Sequence, residues 1–186
     1  MTAIVTMYYL PGAGGQLATG LGKALMDRGV NVTGRETRGE FRSLGFEDQL
    51  QIIREDLRSH FWHEAARVIC NSYGSYLFLH AQSQMEPFPG RVLLLSPIVG
   101  EFASDETRTT FSPPRPTRLK ELAEAGQFPA PARSAIHVGS EDWQSIPANV
   151  QAFGALTGIP VTVVPDGGHN LPKIYVGGLL DRWLKD

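Results

Sequence analysis

Cysteine is almost missing from this chain. Cys70 stands alone, so no internal disulfide can form, and the sequence suits a reducing compartment. An excess of positive charge is missing too. The formal net charge is −2, which gives no electrostatic reason to expect nucleic acid or an anionic membrane as a partner. No apolar run approaches the roughly 18 residues of a membrane span. No lysine or arginine precedes Lys23, and the first apolar run breaks at Pro11-Gly12. A secretory leader is therefore not expected, and a cytoplasmic location is. Internal repeats and low-complexity tracts are absent as well. What remains is 186 residues with 42% hydrophobic and 19% charged content. That is the size and balance of one globular domain, residues 1–186, able to bury a proper core.

Strand-like and helix-like segments alternate along the chain. Ala3 to Leu10 is nearly all apolar and reads as a central strand buried on both faces. The glycine loop Gly12 to Gly15 follows. Gln16 to Arg28 then reads as a helix, with Leu17, Leu21 and Leu25 at helical spacing and Gly29 as its stop. Val30 to Thr33 is a short strand, and Phe46, Leu50, Ile53 and Leu57 mark the apolar face of a second helix. Val68 to Cys70 and Arg91 to Leu95 read as further strands, with a helix from Gly74 to His80 between them. From Ile98 to Arg133 the alternation fails and five prolines appear, with one short helix expected around Thr117 to Ala125. Such a segment inside a compact domain reads as a lid-like insertion at about 98–133. Alternation resumes with a strand over Ala135 to Val138, a helix over Ile146 to Thr157, a strand over Val161 to Val164 and a helix over Pro172 to Trp183. Six strands alternating with helices predict a three-layer, doubly wound α/β fold, its sheet mostly parallel and covered on both faces. Right-handed crossovers then place every loop after a strand on one edge, where such sheets bind ligands.

Three of those loops carry reactive side chains. Cys70-Asn71-Ser72-Tyr73-Gly74 has the form small-x-Ser-x-small between a strand and a helix. A serine on so sharp a turn has its hydroxyl pushed out at the sheet edge, and the small residues two positions away let the backbones approach. Asp142 follows the fifth strand and His169 the sixth, the latter behind Gly167-Gly168, which would let a tight loop carry the ring to the serine. A serine hydroxyl is a poor nucleophile at neutral pH. It needs a histidine to take its proton and a carboxylate to hold that histidine. Acyl transfer also needs donors for the oxyanion. The loop Leu10 to Gly15, read as opening a helix, offers the backbone amide of Ala13, and the elbow offers that of Tyr73.

With Pro11-Gly12-Ala13, Cys70-Asn71-Ser72-Tyr73-Gly74, Gly139-Ser140-Glu141-Asp142 and Gly167-Gly168-His169 in this order, the chain resembles the alpha/beta-hydrolase superfamily. The resemblance spans most of the chain. It departs at Cys70, where the usual elbow has glycine, and at Leu10-Pro11-Gly12, where many members have His-Gly. The chain is short for the family: the N-terminal antiparallel hairpin is missing and the lid is small. The resemblance implies Ser72 as nucleophile, Asp142 as acid, His169 as base, and the Ala13 and Tyr73 amides as oxyanion donors. It implies a small-molecule ester or thioester as substrate and no cofactor or metal.

Other readings attach to single residues. Glu141 rivals Asp142, and Asp166 stands close to His169 in the chain. Phe111 and Trp143 are candidates for an acyl pocket, or packing residues at the root of the lid. Arg115, Arg118 and Lys120 read as a solvated basic stretch, and His137 as a core histidine with a satisfied partner. His60 and His63 lack a third ligand for a metal, and the strand end buries Cys70 too deeply for a nucleophile. Gly12-Ala13-Gly14-Gly15-Gln16-Leu17-Ala18 also fits the dinucleotide loop of a Rossmann-type protein, with Arg35 placed to hold a 2′-phosphate. Against it, no Tyr-x-x-x-Lys pair occurs, and the serine elbow and Gly-Gly-His loop have no role there. A third possibility is a hydrolase fold used for binding without catalysis.

Overall fold

The computed structural model describes residues 5–103 and 109–186. Ala3 and Ile4 of the expected first strand, and residues 104–108 of the expected insertion, lie outside them. Six strands form one sheet: β1 (Thr6–Leu10), β2 (Asn31–Gly34), β3 (Arg67–Asn71), β4 (Arg91–Leu95), β7 (Arg133–Gly139) and β8 (Val161–Val164). Their order is β2-β1-β3-β4-β7-β8, and every neighbouring pair is parallel. Between β4 and β7 the chain makes a separate antiparallel ribbon, β5 (Phe102–Ala103) with β6 (Thr110–Phe111), and the helix α5 (Arg118–Glu124).

The period of two in a strand sends alternate side chains to opposite faces, and β1 uses this to feed two cores. Met7 and Tyr9 pack with Leu25 of α1 (Gly20–Met26) and with Leu179, Leu180 and Trp183 of α7 (Lys173–Trp183). Tyr8 and Leu10 face the other way. They join Leu50 and Ile53 of α3 (Phe46–Asp56), Tyr76 and Leu77 of α4 (Tyr73–Gln82) and Val150 and Phe153 of α6 (Pro147–Thr157). Truncating a fully buried leucine such as Leu50 or Leu94 to alanine costs about 2–5 kcal/mol in cores of this kind.

Three elements differ from the sequence reading. Helix α1 begins at Gly20 instead of Gln16, because the residues before it are held by β2's loop (below). A methyl group on Gly22 would lie 1.8 Å from the Leu17 carbonyl oxygen, so the chain entering the helix crosses directly over it. Helix α3 runs into a π turn over Leu57–Phe61, whose wider repeat keeps Leu57 and Phe61 both buried. A short helix α2 (Gly39–Ser43) fills the stretch before α3.

Candidate active site

The sheet order reverses at β1. The connection from β1 goes outward to β2, and the next one crosses back over β1 to β3. The loops after β1 and β3 therefore flank a crevice at the carboxyl edge, the place where doubly wound sheets bind ligands. Ser72 sits there, on the one-residue turn between β3 and α4, with φ 49° and ψ −118°. Its amide donates to the Leu95 carbonyl at 2.9 Å, and its own carbonyl accepts from Ser75 at 3.1 Å and Ile98 at 3.3 Å. Backbone bonds on both sides thus fix the turn. Gly74 explains itself by contact: a methyl group there would lie 2.2 Å from the Leu10 carbonyl oxygen and 2.4 Å from that of Pro11. Cys70 is fully buried, and burial pushes its thiol well above the ordinary range, so it is no nucleophile.

The loops after β7 and β8 are locked to each other. Ser140 N–H donates to Val164 O at 2.9 Å, and Glu141 N–H to Gly167 O at 2.8 Å. The Asp166 N–H donates to Ser140 Oγ at 2.9 Å. A methyl group on Gly139 would lie 2.1 Å from Gly167 O, so only glycine allows the two backbones to touch. This pairing delivers Asp142 to His169: both carboxylate oxygens lie 3.0 Å from Nδ1. The Asp142 side chain is wholly buried. Its Oδ1 also accepts the amides of Gln144 at 2.9 Å and Ser145 at 2.8 Å. On the other side of the ring, His169 Nε2 lies 2.8 Å from Ser72 Oγ. With Asp142 as acceptor, Nδ1 carries the hydrogen and Nε2 is left to accept from the serine hydroxyl. The neighbours of Asp142 in the reading, Glu141 and Asp166, are both exposed, and it is Asp142 that meets the ring.

The glycine loop completes the crevice, though it does not open a helix as the sequence suggested. A methyl group on Gly12 would stand 3.3 Å from Ser72 Cβ and 3.8 Å from its Oγ. Thr37, buried just after β2, shapes this loop. Its carbonyl accepts Gly14 N–H at 3.0 Å, its hydroxyl oxygen accepts Gly15 N–H at 3.0 Å, and its hydroxyl donates to Gly12 O. Glu36 Oε1 accepts the Leu17 amide at 3.1 Å. Among the described residues, the amides of Ala13 and Tyr73 have no acceptor. Three amides that a dinucleotide cradle would use are thus already bonded. Arg35, the candidate for a 2′-phosphate, is clamped on Asp56 through Nε at 2.7 Å and Nη2 at 2.6 Å.

The remaining candidates lie elsewhere. Phe111 is 48% exposed on the β5–β6 ribbon, its ring 5.1 Å from that of Phe102. Trp143 is half-buried beside Asp142 in the chain. Arg115 pairs with Glu47 at 3.1 Å and Lys120 with Glu124 at 3.7 Å, both on the surface. His137 is buried with Nδ1 2.7 Å from the Tyr175 hydroxyl, and burial pushes its pKa down. His60 and His63 are exposed around the π turn. The open space next to the relay is a cavity of about 690 Å³ between α1 and α7, walled at its inner end by His169, Asn71 and Ser96. Thr37 and Ser96 carry no motif, and Asn71 is a variable position of the small-x-Ser-x-small elbow. The sequence-level signal for them is their place just at or after the ends of β2, β3 and β4.

No family model matches this sequence, and no curated protein matches it. Solved structures do. The ydeN gene product of Bacillus subtilis aligns over 98% of this chain and 100% of its own, with a TM-score of 0.66 at 15% identity. A monoacylglycerol lipase of Paleococcus ferrophilus aligns over 96% and 93%, with a TM-score of 0.70 at 12% identity. A serine hydrolase without a lid from Xanthomonas campestris aligns over 97% and 84%, with a TM-score of 0.61 at 18% identity. With its single parallel sheet, its loop order and these neighbours, the chain has the alpha/beta-hydrolase fold.

Proposed function

We propose that this protein is a serine hydrolase that cleaves carboxylic esters or thioesters through an acyl-enzyme. The observation that carries the reading is the continuous line Ser72 Oγ–His169–Asp142, with hydrogen-bond distances of 2.8 and 3.0 Å. Fold neighbours that include a monoacylglycerol lipase and carboxylesterases support it.

In this reading Ser72 Oγ forms a bond to the substrate carbonyl carbon while its proton passes to His169 Nε2. The imidazolium is held by Asp142, and the oxyanion by the Ala13 and Tyr73 amides. The carbon–oxygen or carbon–sulfur bond to the leaving group then breaks, and that group takes the proton from Nε2. A water attacks the acyl carbon next, giving its proton to Nε2. The acyl–Oγ bond breaks and Ser72 regains the proton. No cofactor enters either half.

A fluorophosphonate tests the reading, because it needs an activated serine and no particular substrate. One adduct by intact mass on the wild type, and none on Ser72→Ala, is the expected result. Ester turnover by Ser72→Ala should fall on the order of 10⁴- to 10⁶-fold. A folded wild type that takes no adduct would leave a hydrolase fold used for binding.

A further inference from the structure

Resting on that reading, we infer that the cavity between α1 and α7 is the leaving-group pocket, and that it takes a medium-sized, mainly apolar alcohol. The side of the substrate is set by proton transfer. His169 gives its proton to the departing oxygen, so the alcohol lies against His169, while the oxyanion points to the amides of Ala13 and Tyr73. The cavity is lined by His169 itself and by Asn170 and Leu171 immediately after it. His169 is thus the residue that the serine line and this cavity share, and the proposal places the alcohol on its cavity side.

The size and walls set the chemical class. About 690 Å³ is room for a ligand with many heavy atoms. Leu21 and Ala24 of α1 and Val176 and Leu180 of α7 supply apolar sides, and Gly177 adds no side chain. The Ser96 side chain marks the inner end. Ser96 is 1% exposed, lines the cavity, and its hydroxyl has no hydrogen-bond partner among the described residues. Its backbone is held at φ 43°, with its amide on the His137 carbonyl at 2.8 Å. A buried hydroxyl left unpaired costs roughly 1–3 kcal/mol. At the rim, Lys23 pairs with Asp27 at 2.7 Å and Arg28 with Asp181 at 2.7 Å, while the exposed Lys173 has no ion pair among the described residues.

Two isomeric esters separate the alcohol side from the acyl side. Hexyl acetate and ethyl hexanoate have the same atoms and present apolar chains of nearly equal length on opposite sides of the carbonyl. The expected result on the wild type is kcat/KM at least about tenfold higher for hexyl acetate. Val176→Phe, which narrows the cavity, should lower that ratio about fivefold or more in a protein whose thermal melt shows it is folded. Equal rates for the two isomers, or faster cleavage of ethyl hexanoate, would overturn the assignment. So would a protein that labels with fluorophosphonate yet cleaves neither ester. A protein that takes no label fails at the earlier step, the activated serine, and the two failures are told apart by the adduct alone.

Discussion

Ser72 holds a backbone conformation, φ 49° and ψ −118°, that L-residues avoid and that costs about 1–3 kcal/mol. Its four backbone hydrogen bonds, to Leu95 and from Ser75, Tyr76 and Ile98, and the Gly74 contact with β1 hold it there. At the same scale Thr37 does for the glycine loop what these bonds do for the turn at Ser72. It is 4% exposed and tied to Gly12, Gly14 and Gly15, and Gly12 is packed on Ser72. Valine has the shape of threonine without the hydroxyl, so Thr37→Val frees Gly12 O and Gly15 N. We expect kcat to fall roughly tenfold to a hundredfold, less than for outright loss of an oxyanion donor, with KM changed less than about threefold and Thr37→Ser restoring the rate. Unchanged kcat in a folded Thr37→Val protein would dismiss Thr37 as a positioning residue. The meeting of Ser72, Asp142 and His169 was legible in the sequence from their residue types, order and flanking glycines, which match what acyl transfer would require. Thr37 and Ser96 were not: Thr37 meets the glycine loop only across the intervening α1 and β2, and Ser96 meets the cavity only through the fold. Nothing local distinguishes them from ordinary loop residues.

Elements meet this chemistry through bare backbone. The β7 and β8 loops come within contact only because Gly139 has no side chain, and that contact delivers Asp142 to His169. The sequence pointed to Gly167 and Gly168 as the flexible pair before the histidine. In the structure Gly167 is tight, with a methyl position 3.1 Å from both Gly139 Cα and Val164 O, while Gly168 has open space around it. Gly139→Ala and Gly168→Ala therefore make a matched pair. The first should lower stability by about 1–3 kcal/mol or more and abolish most Ser72 labelling. The second should leave both near wild type. Thermal melts and labelling rates on the two proteins check this, and a Gly139→Ala protein as stable and reactive as its partner would refute the locked-loop account. Periodicity placed most of the elements well for the same physical reason: buried faces repeat at fixed spacing. It misplaced the start of α1 because Leu17, Leu21 and Leu25 keep helical spacing while Glu36 and Thr37, distant in sequence, hold the residues before Gly20 in a loop.

At the scale of the whole molecule, the parallel sheet separates two cores, and each buries a histidine as part of its packing. His80 is 1% exposed, its ring 4.3 Å from that of Tyr76 and 5.2 Å from that of Phe46. Burial, then the charges of Arg115 and Arg118, push its pKa down to about 4, with Glu47 opposing. His137, next to the other core, is lowered in the same direction by burial and then Arg182. The sequence marked His137 as a core residue because it sits inside a strand, but His80, at a helix position, had no such mark. The fold keeps His80 neutral, while the unfolded chain protonates it at about pH 6.5. Above that pH the two states bind the same number of protons and nothing is lost. Between about pH 6.5 and 4 the unfolded state binds more, so stability falls as the pH falls, and below 4 the loss is complete. From pH 7.5 to 5 this amounts to about 2 kcal/mol, or roughly 4–8 °C in Tm for a chain of this length. His80→Phe keeps an aromatic ring in the site and removes the proton. Its melting temperature should therefore drop less than that of the wild type over the same interval, by an amount near that figure. Parallel drops in the two proteins would place the acid sensitivity in other groups, His137 first among them.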